Sequence, residues 1–205
     1  MKLILLGPPG AGKGTVSEGL LQAFPQLIQV SPGQLLREEV RKGTTIGATI
    51  KEHMDSGGLV PDQFVVEVVR LEIDGKDNYI LDGFPRSSGQ AKTIEDLNVD
   101  LVINLDISEE EVVERFAGRR IDPVTKKTYH IKNVPPPQEI ADRVIQRDDD
   151  KPEIVKERFR VYNESTKPLI NFYKEKGTLV SVDASSTPAQ VIDAVVAVIK
   201  QKLNV

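Results

Sequence analysis

The chain contains no cysteine, which excludes a disulfide framework, a thiolate nucleophile and any zinc or iron–sulfur centre held by thiolates. Aromatic residues make up only 5% of the 205 positions, few for a protein that stacks on unpaired bases. Excess positive charge is missing too. With a formal net charge of −4, the surface as a whole repels nucleic acid and anionic membranes, so neither is expected as a partner. An anionic ligand must instead meet a local cationic pocket. Long apolar runs are also lacking: Leu3-Ile4-Leu5-Leu6 is broken at once by Gly7, Pro8 and Pro9. That run is too short for a signal-peptide core or a membrane span, and a soluble cytoplasmic protein is the expectation. What is there is 39% apolar and 28% charged residues, enough for one principal core with small insertions and a monomer by default.

Short β-branched or leucine-rich runs alternate with longer amphipathic stretches, the pattern of a parallel sheet covered by helices on both faces. Strands are expected over 3–6, 27–30, 79–81, 101–107 and 178–182, and helices over 14–24, 62–73, 90–97, 109–117 and 188–203. Ser108 with Glu111, and Thr187 with Gln190 and Pro188, carry capping-box signals. The expected fold class is therefore α/β, a three-layer sandwich around a central parallel five-stranded sheet.

Two connections exceed ordinary length. Residues 31–60 read as two short helices, 35–41 and 46–54, around Lys42-Gly43-Thr44 and ending at Gly57-Gly58; residues 119–147 are rich in turn formers and contain Pro135-Pro136-Pro137. The core then comprises 1–30, 61–118 and 148–205. Insertions of this kind serve as flaps or lids, although composition alone also allows plain surface excursions. Gly57-Gly58 and Gly118 are candidate hinges or simple helix stops. Asp148-Asp149-Asp150, taken alone, reads as a solvated helix start.

The strongest local signal is Gly7-Pro8-Pro9-Gly10-Ala11-Gly12-Lys13-Gly14-Thr15, preceded by a strand and followed by a helix. Glycines at 7, 10, 12 and 14 remove side chains where a loop wraps closely on an anion and turns its N–H groups inward. The following helix adds its positive dipole end, and Lys13 adds a mobile charge for outer phosphates.

Thr15 is separated from Lys13 by Gly14, a spelling used by nucleoside monophosphate kinases, and the loop resembles that of adenylate kinases. The resemblance extends over essentially the whole chain. It implies a P-loop fold with a helical monophosphate-binding insertion at 31–60 and a lid at 119–147. It also implies reversible transfer of the terminal phosphoryl group of Mg-ATP to AMP, with ATP, AMP and ADP as substrates and Mg²⁺ as cofactor. Ser31-Pro32-Gly33-Gln34-Leu35-Leu36-Arg37 resembles the segment that opens the acceptor flap, placing Arg37 on the acceptor phosphate. Asp82-Gly83-Phe84-Pro85-Arg86 lies at a strand's C-terminal end, where α/β sheets place ligands. The family pattern there gives Arg86 to the acceptor phosphate and Asp82 to water around the metal, with Thr15 a further candidate ligand. Gln90 matches the reader of the adenine edge. Ser31, Pro32, Leu59, Val60, Val65 and Gly83 complete the implied acceptor site.

On the donor side the likeness implies Gly10, Ala11, Gly12, Lys13, Gly14, Thr15, Arg115, Arg119, Tyr129 and Thr187. Within it Arg115 stacks on the donor base and Arg119 closes on the phosphates. Arg147 and Arg158 match the remaining transfer-site arginines, and their spacing lets both face inward from one helix. Lys13, Arg86, Arg119, Arg147 and Arg158 form the implied catalytic set. Asp149 and Asp150 match carboxylates that orient these arginines. Without the motifs, Arg37 and Gln90 would read as solvated helix residues. His130 reads as a hydrogen-bond partner within the lid, and His53 has no motif.

Phosphoryl transfer works mainly by alignment and electrostatic stabilisation, so no nucleophilic or general-base side chain is nominated. Two departures stand out. Pro32 stands where many relatives have Thr, and Gln34 where many have an acid, so looser acceptor discrimination is expected, with Gln90 still favouring AMP. The lid is of the long type but lacks the four cysteines of zinc-bearing members, and no structural zinc is expected. Rival readings are a UMP/CMP-specific or GTP-using monophosphate kinase, a P-loop switch or motor, and a nucleic-acid-binding P-loop module.

Overall fold

The structure, a computed structural model, describes the backbone of residues 1–205 and every side chain except that of Ile46. Its centre is the run Lys2–Leu6 (β1), whose buried residues serve both faces of a sheet. Ile4 and Leu6 join one hydrophobic cluster while Leu3 and Leu5 join another, as the two-residue pleat of a strand requires. Ile28–Val30 (β2), Tyr79–Asp82 (β3), Leu101–Asp106 (β4) and Leu179–Asp183 complete the sheet. Counting the separate two-stranded pair Arg119–Ile121 (β5) and Thr128–His130 (β6), the last strand of the main sheet is β7. The order is β2-β3-β1-β4-β7 and every pairing is parallel.

Because β1 lies in the middle and the chain first runs outward past β3 to β2 and later crosses to β4, the C-terminal ends of β1 and its neighbours frame a crevice. Helices cover both faces. Lys13–Ala23 (α1) and Pro188–Leu203 pack together, so closely that a Cβ on Gly19 would lie 2.7 Å from Ile192 side-chain atoms. On the other face Asp62–Ile73 buries Val65, Val69 and Ile73 at helical spacing, each contributing about 1.5–3 kcal/mol by area removed from water. Between β2 and that helix, Pro32–Lys42 (α2) and Thr45–Asp55 (α3) form the first insertion; Asp62–Ile73 is thus α4. Ser88–Thr93 (α5) and Glu109–Gly118 (α6) follow.

Both capping boxes are present, at Ser108 with Glu111 and at Thr187 with Gln190. The helix expected over 90–97 starts earlier, because the Ser87 side chain accepts from Gln90 N–H, and ends at Thr93 before a separate 3-10 turn, Glu95–Leu97. Two helices appear that were not read from the sequence: Pro152–Val161 (α7) and Pro168–Glu175 (α8), joined through a π-turn over Tyr162–Thr166; the C-terminal helix is α9. Arg147 and Arg158 are not on one helix, contrary to expectation. A proline at the first position of α7 keeps Lys151 extended (φ −67°, ψ 143°), and Arg147 lies further back, before a 3-10 turn, Asp148–Asp150.

Residues 119–147 carry the β5–β6 hairpin, with an additional bridge from Ile121 to Ile145. Asp122, whose side chain is fully buried, clasps this segment: it accepts from Arg143 Nε (2.9 Å) and Nη2 (2.6 Å), Val124 N–H (3.0 Å) and the Thr125 hydroxyl (2.8 Å). Among the described residues no group of three or more His, Asp or Glu side chains could hold a metal ion, and no helix is long and apolar enough to cross a membrane. Gly57 ends α3 in the left-handed region (φ 80°), with its N–H on Met54 C=O. Gly118 lies under the His130 ring, where a Cβ would come 2.3 Å from Nε2.

Candidate active site

A cavity of about 800 Å³ occupies the crevice at the strand ends, a volume suited to ligands of nucleotide size. The 7–15 loop forms its floor. Gly10 (φ 83°) is packed against α6 so tightly that a Cβ would lie 2.9 Å from Val112 and Phe116, which only glycine satisfies in both conformation and space. Gly10, Ala11, Gly12, Lys13, Gly14, Thr15, Arg115, Arg119, Tyr129 and Thr187 all line the cavity. So do Ser31, Pro32, Arg37, Leu59, Val60, Val65, Gly83, Arg86 and Gln90, from α2 and its cap, the connection into α4, α4 itself, the segment after β3 and α5. Asp82, Arg147, Asp149 and Arg158 do as well, whereas Asp150 is buried behind the wall. His53 lies outside the lining.

The cations fall into two sets. Arg119 and Arg158 are braced by acids: Arg119 grips Asp150 with Nε (2.8 Å) and Nη2, and Arg158 donates to the Asp149 backbone (2.9 Å) and carboxylate (3.1 Å) and reaches Asp150 at 3.6 Å. Both guanidiniums also lie over the Phe116 ring, at 4.5 and 5.3 Å from its centre. Asp148-Asp149-Asp150 is therefore not the solvated start it resembles, since the Asp150 side chain is 0% exposed against 91% for Asp148.

Lys13, Arg37, Arg86 and Arg147 form the second set, and none joins an ion pair among the described residues. Lys13 Nζ donates to the carbonyls of Gly7 and Pro8, both at 2.9 Å. Arg86 Nε donates to Gly83 C=O at 2.7 Å, while Arg147 Nε is buried without a partner. Burial pushes the Lys13 ammonium down to about 7, with Arg86, Arg158 and Arg119 adding to the effect and Asp82 opposing it. Burial likewise lowers Arg37, Arg147 and Arg158 to about 10, so these guanidiniums stay charged at neutral pH. Burial opposes ionisation of Asp149, but Arg158, Arg119, Arg37 and Arg147 hold its pKa below the ordinary value.

Gln90 is 1% exposed, not solvent-facing. Arg115, expected to stack on the donor base, donates to the carbonyls of Ala11 (3.3 Å) and Ala184 (2.5 Å), tying the loop to the end of β7. His130 Nδ1 accepts from the backbone N–H groups of Lys132 and Asn133, both at 3.2 Å. Several supporting residues escaped the sequence reading. Gln29 donates to Asp82 at 2.9 Å, Thr166 donates to Arg86 C=O at 2.8 Å, and Asp62 and Ser87 bond around Gln90. A glutamine inside the otherwise apolar Ile28–Val30 was the one legible hint.

A parallel sheet with a glycine loop at the end of its middle strand, facing cavity-lining cations that join no ion pair among the described residues, defines a P-loop protein of the nucleotide-binding, phosphoryl-transferring class. A family model described as adenylate kinase matches residues 5–178. An adenylate kinase of Natronomonas pharaonis is 41% identical over 204 residues, covering 98% of each chain. One of Archaeoglobus fulgidus is 42% identical over 199 residues, 90% of this chain and 91% of that one. Another, from Giardia intestinalis, is 47% identical over 169 residues, 80% and 68%. The chain belongs to the adenylate kinase family.

Proposed function

We propose that the chain catalyses ATP + AMP ⇌ 2 ADP, moving the terminal phosphoryl group of Mg-ATP directly onto the phosphate of AMP. One observation carries this reading: Lys13, Arg37, Arg86 and Arg147 line one cavity and none joins an ion pair among the described residues, a local excess of positive charge that an anionic ligand would satisfy. Mg-ATP and AMP together bring a charge of about −4, taking one magnesium and mostly ionised phosphates. Arginine forks grip phosphate oxygens in pairs, while Lys13 supplies a point charge.

The donor phosphates sit in the 7–15 loop beneath Lys13, and the acceptor phosphate sits between Arg37 and Arg86, whose guanidiniums flank Gly33. Arg119, Arg147 and Arg158 stabilise charge on the migrating group between them. An acceptor phosphate oxygen attacks phosphorus and the bond to the ADP leaving oxygen breaks; the attacking oxygen is already anionic near neutral pH, so no side-chain base takes a proton. The Asp82 carboxylate, held at one oxygen by Gln29 and in no ion pair among the described residues, has the hard oxygen character that magnesium prefers. Asp82 would hold the ion through water and Thr15 through its hydroxyl, and the ion would neutralise part of the phosphate charge. Pro32, at the first position of α2 and buried against the cavity, offers an acceptor base neither hydroxyl nor N–H, which leaves base discrimination to Gln90.

Pure protein given ADP and Mg²⁺ is expected to produce ATP and AMP in equal amounts. Release of inorganic phosphate without AMP would overturn the reading. A second expected result concerns protons. A mimic joining two adenosines through five phosphates has no phosphate group that titrates near pH 7, and its charge should return Lys13 to the protonated form. Above its free value of about 7, Lys13 is largely neutral before binding, so at pH 8 binding takes up close to one proton; below pH 6 the uptake vanishes. Calorimetry in buffers of different ionisation enthalpy measures it, and Lys13→Met should abolish it.

A further inference from the structure

A glutamine amide can turn over about its last bond, exchanging donor for acceptor. In Gln90 both ends are held by groups of fixed polarity. Oε1 accepts from the Arg86 backbone N–H at 2.7 Å, and Nε2 donates to Asp62 Oδ1 at 2.8 Å. A backbone N–H can only donate and an ionised carboxylate can only accept, so the amide has one orientation. One lone pair on Oε1 and one hydrogen on Nε2 remain for whatever enters the cavity that Gln90 lines.

Asp62 is itself held. Its Oδ2 accepts from the Ser87 hydroxyl at 2.9 Å, and that hydroxyl accepts from Gln90 N–H at 3.0 Å. A Cβ on Gly89 would lie 2.6 Å from Asp62 Oδ2, so the bare backbone at 89 is what lets the start of α4 reach α5.

We propose that Asp62 is a specificity-determining positioning residue, locking the Gln90 amide so that the acceptor pocket takes a 6-aminopurine and disfavours a 6-oxopurine. Adenine presents an N–H donor beside a ring-nitrogen acceptor, whereas the pairing edge of guanine presents a carbonyl acceptor beside an N–H donor. An amide free to rotate serves either base by turning over. A locked amide serves one. The inference rests on AMP being the acceptor, and it adds a residue that touches neither nucleotide.

The test is kcat/KM for AMP and for GMP, with ATP as donor, in the parent and in Asp62→Ala, Gly89→Ala and Asp62→Asn. In Asp62→Ala the AMP:GMP ratio is expected to fall by roughly tenfold or more, the scale of one well-placed base contact. KM for ATP should stay within about twofold, because uniform loss of packing would not sort purines by their 6-substituent. Gly89→Ala displaces the carboxylate without removing it and should lower the ratio in the same direction; it carries the test if Asp62→Ala does not fold. Asparagine can aim Nδ2 at the Ser87 oxygen and Oδ1 at Gln90, so Asp62→Asn should restore the ratio to within about threefold of the parent. An unchanged ratio in the Asp62→Ala and Gly89→Ala proteins, in a parent active on AMP, overturns the role of Asp62 alone. A parent unable to use AMP overturns the acceptor assignment together with it.

Discussion

Alanine at position 13 is expected to lower kcat by at least about a hundredfold, the effect of deleting one pre-organised electrostatic donor. Lys13 starts α1 directly beneath the glycine loop, and its Cε would lie 3.3 Å from a Cβ on Gly83, so the side chain stands between the loop and the β3 end. It joins no ion pair among the described residues, and its ammonium donates to the Gly7 and Pro8 carbonyls. That is a resting posture from which it can swing to a phosphate. The loss should fall equally on kcat and kcat/KM for ATP if the contact is made chiefly in the transition state. The melting temperature should not drop, because the substitution removes an ammonium whose burial disfavours charge. A variant with near-parental turnover would sink the assignment.

Asp150→Ala should act through stability first. Its carboxylate, 0% exposed, binds Arg119 and reaches Arg158, each 19% exposed. Removing it leaves Arg119 without its carboxylate and Arg158 with Asp149 alone, a loss of about 3 kcal/mol by the usual cost of breaking a buried pair. For a chain of this size that corresponds to a fall of about 6–12 °C in melting temperature. Asp148→Ala, two residues away with its carboxylate 91% exposed, is the control and should change stability by no more than about 0.5 kcal/mol. The five-phosphate bisubstrate mimic should recover part of the Asp150→Ala loss by supplying negative charge where the carboxylate was. Equal melting temperatures for the two variants would show that Asp150 braces nothing.

The sheet was legible because parallel strands buried on both faces tend to be apolar runs; the runs 3–6 and 101–107 fall on Lys2–Leu6 and Leu101–Asp106, the second passing through Asn104 and ending one residue early. Asp62–Ile73 and Pro188–Leu203 match the expected spans of 62–73 and 188–203 because their apolar spacing and local caps agree. The segment from 148 to 175 was not legible. Its helices begin at Pro152 and Pro168 behind charged residues, and the brace that fixes it, Asp150 between arginines from two elements, is a long-range contact no local pattern encodes. The phosphate loop declared itself through glycine spacing, whereas Arg37 and Gln90 carried no signal except by resemblance. Asp62 was hidden more thoroughly: an acid at the start of a helix is already explained by the dipole, so its bond to Gln90 leaves no trace in the sequence.

The clasp at Asp122 bears on where such a protein can work. The segment 119–147 is fastened on itself by a carboxylate and a guanidinium, and oxidants find no sulfur there to attack. Its vulnerability lies at the acid end. Arg143, opposing burial and joined by the Val124 N–H and Thr125 hydroxyl, holds the Asp122 carboxyl well below the usual carboxylate range. The contribution is therefore complete above the ordinary carboxylate pKa and fades only as pH falls towards that lowered value. Acidification that protonates ordinary surface carboxylates would leave this fastening ionised and the hairpin in place.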